Sequence, residues 1–384
     1  MKRLTLAATA LVAAAGAAQA GGIDRSGQSI NVLFEKGNYV ELSFGVVGPS
    51  VSGTVATPFG SRHSGNVTKT YWQVGAAYKR QINEQLSFAL IYDQPFGADV
   101  NYKGASVPFA GTSNATAIGN ILAGNFPTVG TTATLDADAI TGLLNYRMAN
   151  GFGFHGGLRV QKVSADSTVP LVAGYSVAGA GDEGVGYAAG ISYEKPEIAL
   201  RVSLTYNSTI KTKHKTTENS VAFGTTTSKT TIETPESVNL EFQSGIAKDT
   251  LVFGSVRWVN WSGFTITPQQ YQALTGGPFL SYTSDTYTYT LGVGRRFTKA
   301  ISGSLSVTYE DNDDGSPVSN LGPTSGKLGF TLGGRYEKEN GMILSGGINY
   351  TFVGDAVTTI GALPRTKFKN NDAIGVGFKV AYRY

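Results

Sequence analysis

The sequence predicts an all-β fold, a transmembrane antiparallel β-barrel of about fourteen strands with a short N-terminal plug. Three observations carry this expectation. In the closing residues 371–384, Ile374, Val376, Phe378, Val380, Tyr382 and Tyr384 alternate with Ala373, Gly375, Gly377, Lys379, Ala381 and Arg383. Period two puts the first set on one face of a strand and the second on the other. Similar segments recur along the chain, and their connections alternate between short turns and loops of about 13 to 33 residues, the loop pattern of an outer-membrane barrel. Lys2 and Arg3 precede an apolar run over residues 4–15, and Ala18-Gln19-Ala20 offers a small-residue cleavage site. That is the build of a secretory leader.

Taken in order, the expected units are a leader at 1–20, a plug at 21–37 and a barrel at 38–384. Residues 21–37 lack strand alternation, yet Ile30, Val32, Leu33 and Phe34 are too apolar for a free tail. The fourteen alternating segments fall at about 38–48, 70–81, 85–98, 132–147, 152–165, 184–194, 197–210, 229–245, 250–263, 284–298, 301–311, 325–338, 341–353 and 371–384, each end good to roughly two to four residues. Lipid-facing sets such as Val40, Leu42, Phe44 and Val46, or Ile198, Leu200, Val202, Leu204 and Tyr206, carry no charge. Tyr78, Tyr146, Tyr193 and Tyr336 recur beside the short turns, where an aromatic girdle belongs. The opposite faces hold Glu41, Lys79, Asp93, Arg159, Arg201, Glu241, Arg257, Arg296, Glu310, Lys327, Arg335, Lys379 and Arg383. A charge facing lipid near the midplane costs roughly 2–4 kcal/mol, so these residues are assigned to the lumen. They either form a ladder of ion pairs or favour anionic solutes.

Composition narrows the function. The 384 residues include 50 Gly, 19 Tyr, 19 Phe and no Cys, which excludes disulfide staples and thiolate chemistry. The formal charge of +4 becomes +2 without Lys2 and Arg3, too mild a balance to favour a nucleic-acid partner. The three His are scattered, at 63, 155 and 214, and show no hydrolytic or metal-ligand spacing. The expectation is therefore a chain that is not an enzyme and needs no metal or cofactor.

The outer loops carry apolar groups where water would favour polar ones: Phe109 after Val107-Pro108, Leu171 after Val169-Pro170, and Phe279 after Pro278. They could form a greasy docking site or pack on one another as a lid. The run from Lys211 to Lys215 reads as a basic loop, either facing lipopolysaccharide phosphates or simply solvated. In the third segment Asp93-Gln94-Pro95-Phe96-Gly97 breaks the rhythm, because Pro95 cannot donate a ladder hydrogen bond and Gly97 tolerates a bend. Asp93, Pro95 and Gly97 therefore mark a possible lateral opening in the wall.

These features together resemble the FadL family of outer-membrane long-chain fatty-acid and hydrocarbon transporters. The resemblance covers essentially the whole chain after the leader: fourteen strands, an N-terminal plug and the Pro95-Phe96-Gly97-Ala98 segment. Ser237-Val238-Asn239-Leu240-Glu241-Phe242 and Val256-Arg257-Trp258-Val259-Asn260-Trp261 add to it. It implies a monomer in the bacterial outer membrane that moves fatty acids or related hydrophobic compounds by passive diffusion. Capture would occur between outer loops, with Arg159, Arg201 or Arg257 pairing the carboxylate in the lumen and release running sideways at the third-strand kink. Asn31-Val32-Leu33-Phe34 stands where the family carries Asn-Pro-Ala, a departure that touches the plug mechanism. Lys379 and Arg383, near the inner mouth, are expected to meet the plug at Asp24 or Glu35. The alternatives are a structural barrel contacting lipopolysaccharide and a general aqueous porin.

Overall fold

The computed structural model describes residues 23–57, 60–102, 130–311, 317–359 and 365–384; the expected leader at 1–20 and Phe109 lie outside them. Fourteen antiparallel strands close into a ring. In wall order they are Tyr39–Ser50, Tyr71–Gln81, the interrupted pair Leu86–Asp93 and Gly97–Asn101, Thr132–Arg147, Phe152–Val169, Tyr175–Lys195, Leu200–Asn207, Ser237–Ala247, Thr250–Val259, Thr286–Arg296, Ile301–Glu310, Lys327–Glu337, Met342–Val353 and Asn371–Arg383. The seam joins last to first in continuous register from Tyr39 opposite Arg383 to Ser50 opposite Asp372. The Asn38 and Tyr384 backbones exchange both hydrogen bonds below it. Closure at the seam leaves neither the first nor the last strand as a free edge in lipid, which is what a spanning sheet requires.

The alternation sorts the faces as expected. Leu42, Phe44, Trp72, Leu158, Leu332 and Phe378 stand exposed on the outside, Trp72 by 70%. Tyr382 and Tyr384 stack at 5.9 Å beside the short-turn rim. Inside, Lys327 pairs with Glu310 at 3.2 Å, Arg335 with Glu337 at 3.0 Å, and Lys379 with Glu41 at 3.0 Å. At the short-turn rim Arg296 pairs with Asp249, and that hydrogen bond holds the half-buried Asp249 carboxyl below the usual carboxylate range.

Two expectations are corrected. The segments at 197–210 and 229–245 are not simple wall strands joined by a basic loop. The wall strands Leu200–Asn207 and Ser237–Ala247 are extended upward by a hairpin of Ile210–Ser220 and Gly224–Thr234. Lys211, Lys213 and Lys215 point out of it, while Thr212, His214 and Thr216 are buried. A strand that rises above the membrane can be polar on both faces, so its period is masked by charge. Likewise Tyr175–Lys195 begins nine residues before the expected position and extends the wall beyond the roughly 9–11 residues that span lipid. A second small sheet, Gly53–Thr57, Gly60–His63, Ala356–Thr358 and Thr366–Phe368, caps the seam side around buried Val55 and Phe368.

The N-terminal residues 23–37 lie inside the ring. Ile23, Arg25, Gln28, Ile30, Val32, Leu33 and Glu35 are buried, and a single 3-10 turn spans Asn31–Phe34. Their polar groups are taken up by lumen side chains, as buried polar groups must be.

Candidate functional site

The ladder between the second and third wall strands runs only from Ala76 opposite Tyr92 to Gln81 opposite Ser87. The second strand continues up to Tyr71, but the third leaves the ladder after Asp93 and resumes at Gly97, paired there with the fourth strand and, on its other side, bridged by Thr68 opposite Val100 and not by the second strand. Pro95 has no N–H to give, and Gln94 turns its side chain to the orphaned groups instead. Its Oε1 accepts from the Val74 N–H at 2.9 Å, and its Nε2 donates to Asp138 at 3.2 Å.

The plug replaces the missing ladder from within. The Arg25 N–H donates to the Pro95 carbonyl and the Gly97 N–H to the Ile23 carbonyl, both at 2.8 Å, so Asp24 and Phe96 stand opposite one another as a bridge pair. Ser26 donates to Asp93 at 2.5 Å. The function of Gly97 differs from a simple bend: a Cβ there would lie 2.2 Å from Arg25 Cζ. The guanidinium of Arg25 occupies that space, so any larger residue at 97 would displace it.

The three arginines read from the sequence all face the lumen, but they are not equally free. Arg257 binds Asp24 through Nε at 2.6 Å and Nη2 at 3.1 Å, and its remaining donors reach Ser237, Asn239 and Gln28. Asp24 therefore meets Arg257, not Lys379 or Arg383. Arg201 donates to Asn31 at 2.6 Å and lies 4.6 Å over the Phe34 ring, while Asn31 also donates to Glu241. Arg159 donates to Thr141 and stands 3.8 Å from Asp93 beside the kink. At the inner mouth Arg383 binds Glu35 at 2.9 Å and Glu337 at 2.6 Å, and Lys79 donates to the Glu35 carbonyl. Lys379 is corrected: its partner is Glu41 of the first strand, which the seam register brings within reach. Burial and the nearby Arg383 guanidinium lower the pKa of the Lys36 ammonium.

A cavity of about 340 Å³ lies between plug and wall, within the roughly 300–1,000 Å³ range of small-molecule pockets. It runs from Arg257 and Glu241 to Ala76, Tyr92 and Gln94 at the interrupted ladder. A second, of about 380 Å³, opens at the inner mouth around Lys79, Arg147, Arg201 and Arg383.

Above the cavity sits an aromatic partition that sequence reasoning missed as a unit. Trp261 is fully buried against Phe96 at 5.8 Å, Phe264 at 5.4 Å and Tyr282 at 5.1 Å, with Ile23 in the same cluster. The kink residue Phe96 thus points inward onto the outer loop. Asp285 fastens this loop by accepting from Trp258 Nε1 and from Ser262. Burial raises its pKa, but those hydrogen bonds outweigh it and leave the carboxyl below its ordinary range.

Next to the partition is a small apolar pocket of about 40 Å³ lined by Leu135, Ile266, Leu280 and Phe279. Phe279 packs on Tyr271 and Tyr175 with Val172, whereas Leu171 is half-buried outside that cluster. The loop is pinned by the fully buried Glu218, whose carboxylate accepts from Tyr175, Ser228 and the backbone N–H groups of Gln269 and Gln270 at 2.8–3.1 Å. Replacing Glu218 by Ala leaves the buried donors of Tyr175 and Gln270 unpaired at roughly 1–3 kcal/mol each. Limited proteolysis of Glu218→Ala should therefore nick residues 261–282 first, with the barrel intact; wild-type resistance would refute the pinning.

The histidines stand apart, His63 with Thr54, His155 with Thr205 and His214 with Thr212. Among the described residues no group of three or more His, Asp or Glu could hold a metal ion.

Neither family models nor curated protein sequences match the chain. Solved structures do. A FadL homologue from Pseudomonas aeruginosa is similar with a TM-score of 0.72 at 12% identity, over 92% of this chain and 91% of that one. The toluene transporter TodX of P. putida gives 0.65 at 13% identity, over 92% of each. A monoaromatic hydrocarbon channel, CymD, gives 0.56 at 12% identity, over 91% and 89%. At such identities it is the architecture that is held in common: the chain has the plugged, fourteen-stranded barrel fold of the FadL homologue and of TodX.

Proposed function

We propose that this chain is a bacterial outer-membrane channel for hydrophobic compounds, long-chain fatty acids among them, that works by passive diffusion and releases its cargo sideways through the interrupted third strand. The observation that carries this reading is the opening itself: a wall gap reached by an interior cavity and filled from inside by plug residues rather than by a neighbouring strand. Apolar loop residues around Phe279 supply a first docking site, the partition at Trp261 separates it from the lumen, and displacement of the arm at 23–26 clears the exit. The relatives in fold are a toluene transporter and a monoaromatic hydrocarbon channel, which favours a hydrophobic cargo. The ring is complete in one chain, which supports a channel that acts as a monomer. Its outward Lys213 and Lys215 face lipopolysaccharide phosphates, whereas Lys211 is engaged by Glu233 at 3.1 Å.

The test is uptake. In a host strain unable to import oleate, the assembled protein should restore growth on oleate and uptake of labelled oleate. Correctly assembled protein without rescue would return the chain to the structural reading. Large, steady single-channel conductance of the wild type in a planar bilayer would instead favour an aqueous porin.

A further inference from the structure

We propose that Arg25 is an anion site set in the wall opening, where its guanidinium holds the carboxylate of a long-chain fatty acid during release. The inference rests on the lateral-exit reading above and adds to it the residue that holds the head group.

The side chain starts on the plug and reaches outward through the gap. Its guanidinium lies 4.2 Å over the Tyr71 ring and against Gly97, and Nη1 stands 3.7 Å from Asp136. Asp136 is on the outside of the barrel, its side chain 60% exposed. A cation anchored inside thus meets a carboxylate outside, which places it in the opening itself. Arg25 is only 7% exposed, yet its Nε and Nη2 have no hydrogen-bond partner among the described residues. These two atoms form the edge of a guanidinium that grips a carboxylate with two parallel bonds. The chain shows that very pairing elsewhere: Arg257 holds Asp24 through Nε and Nη2. At Arg25, a residue that lines the interior cavity, the same edge is unspent.

The other charged and titratable groups around it are accounted for. Asp99 is paired with Lys69 at 3.3 Å, Asp138 accepts from Tyr92 and Gln94, and Asp136 stands on the Nη1 side. Arg257, by contrast, has every donor taken.

Depth fits the same cargo. Asp136 lies ten residues along its strand from the girdle residue Tyr146, about 23 Å for a strand tilted by about 45°. That is close to the upper limit of an apolar band of about 25 Å. A head group held by Arg25 would remain at the outer interface while its tail passes into lipid, which suits an amphiphile and offers nothing to a neutral hydrocarbon.

Purified full-length protein in nonionic detergent, titrated by quenching of tryptophan emission with oleate and with methyl oleate, tests this. The wild type should bind oleate at least tenfold more tightly than the ester. Arg25→Gln should erase that margin, and Arg25→Lys should keep part of it. Asp136→Asn, which removes the competing carboxylate, should tighten oleate severalfold, an effect that a merely structural Arg25 would not produce. A margin that survives in Arg25→Gln, or equal wild-type affinities for the two probes, would overturn the anion site and leave the hydrophobic channel standing. Failure of the wild type to bind either probe would remove both.

Discussion

Replacing Asp24 by Asn should turn a quiet barrel into a leaking one. Asp24 is the only carboxylate on Arg257 among the described residues, through two bonds of 2.6 and 3.1 Å. Removing one member of a buried ion pair costs about 3–5 kcal/mol, because the other charge stays buried and uncompensated. That energy falls on the docking of the arm and not on the wall, whose ladders Asp24 does not enter. What remains to hold residues 23–25 are two backbone bonds, to Pro95 and from Gly97, the packing of Ile23 and the contacts of Arg25 with Tyr71 and Asp136. Planar-bilayer recordings of Asp24→Asn should show frequent openings absent from the wild type. The double variant Asp24→Asn with Arg257→Gln, which leaves neither charge, should regain most of the closed time. A wild-type trace from Asp24→Asn would mean that the ion pair does not hold the arm.

A disulfide between positions 24 and 96 should have an equally large effect in the opposite sense. The two residues face each other as a bridge pair flanked by the Arg25 and Gly97 hydrogen bonds, an arrangement in which Cα atoms lie about 4.5 Å apart. A disulfide tolerates about 4.4–6.8 Å. The chain has no native cysteine, so Asp24→Cys with Phe96→Cys would yield a single cross-link. Oxidised, it ties the plug to the kink, and hydrophobe uptake should fall to the level of cells without the protein. Reduced, it has lost the Asp24 pair and should be at least as permeable as Asp24→Asn. Uptake that is indifferent to reductant, with the cross-link verified by mass, would exclude release through this opening.

Much of the wall was legible in the sequence because lipid on one side and water on the other impose a strict period of two. Thr132–Arg147 matches the expected range to the residue. Legibility failed where that contrast fails. The hairpin bearing Lys211, Lys213 and Lys215 stands clear of the bilayer, so its buried face is filled by Thr and His and reads as loop. At the site, Asp93, Pro95 and Gly97 were visible because proline removes a donor that every interior strand needs. The reason for Gly97 was not, since it depends on where the Arg25 side chain goes. The Asp24–Arg257 pair joins residues 233 apart, and only the plug's seating brings them together. Lys379 with Glu41 needed the seam register, which no local pattern states.

The seam also constrains the order of assembly. Asn371–Arg383 must find Tyr39–Ser50 across nearly the whole chain, and loop-closure entropy makes such a contact the slowest to form. The plug precedes the first strand, and Glu35 is gripped by Arg383 of the last. Seating of Glu35 is therefore coupled to closure of the seam, since its bond to Arg383 forms only once the last strand is in place. Biogenesis would then be the step at which the channel is closed: each molecule would be stoppered as it is made, and an exposed strand edge would persist until the stopper and the final strand arrive together.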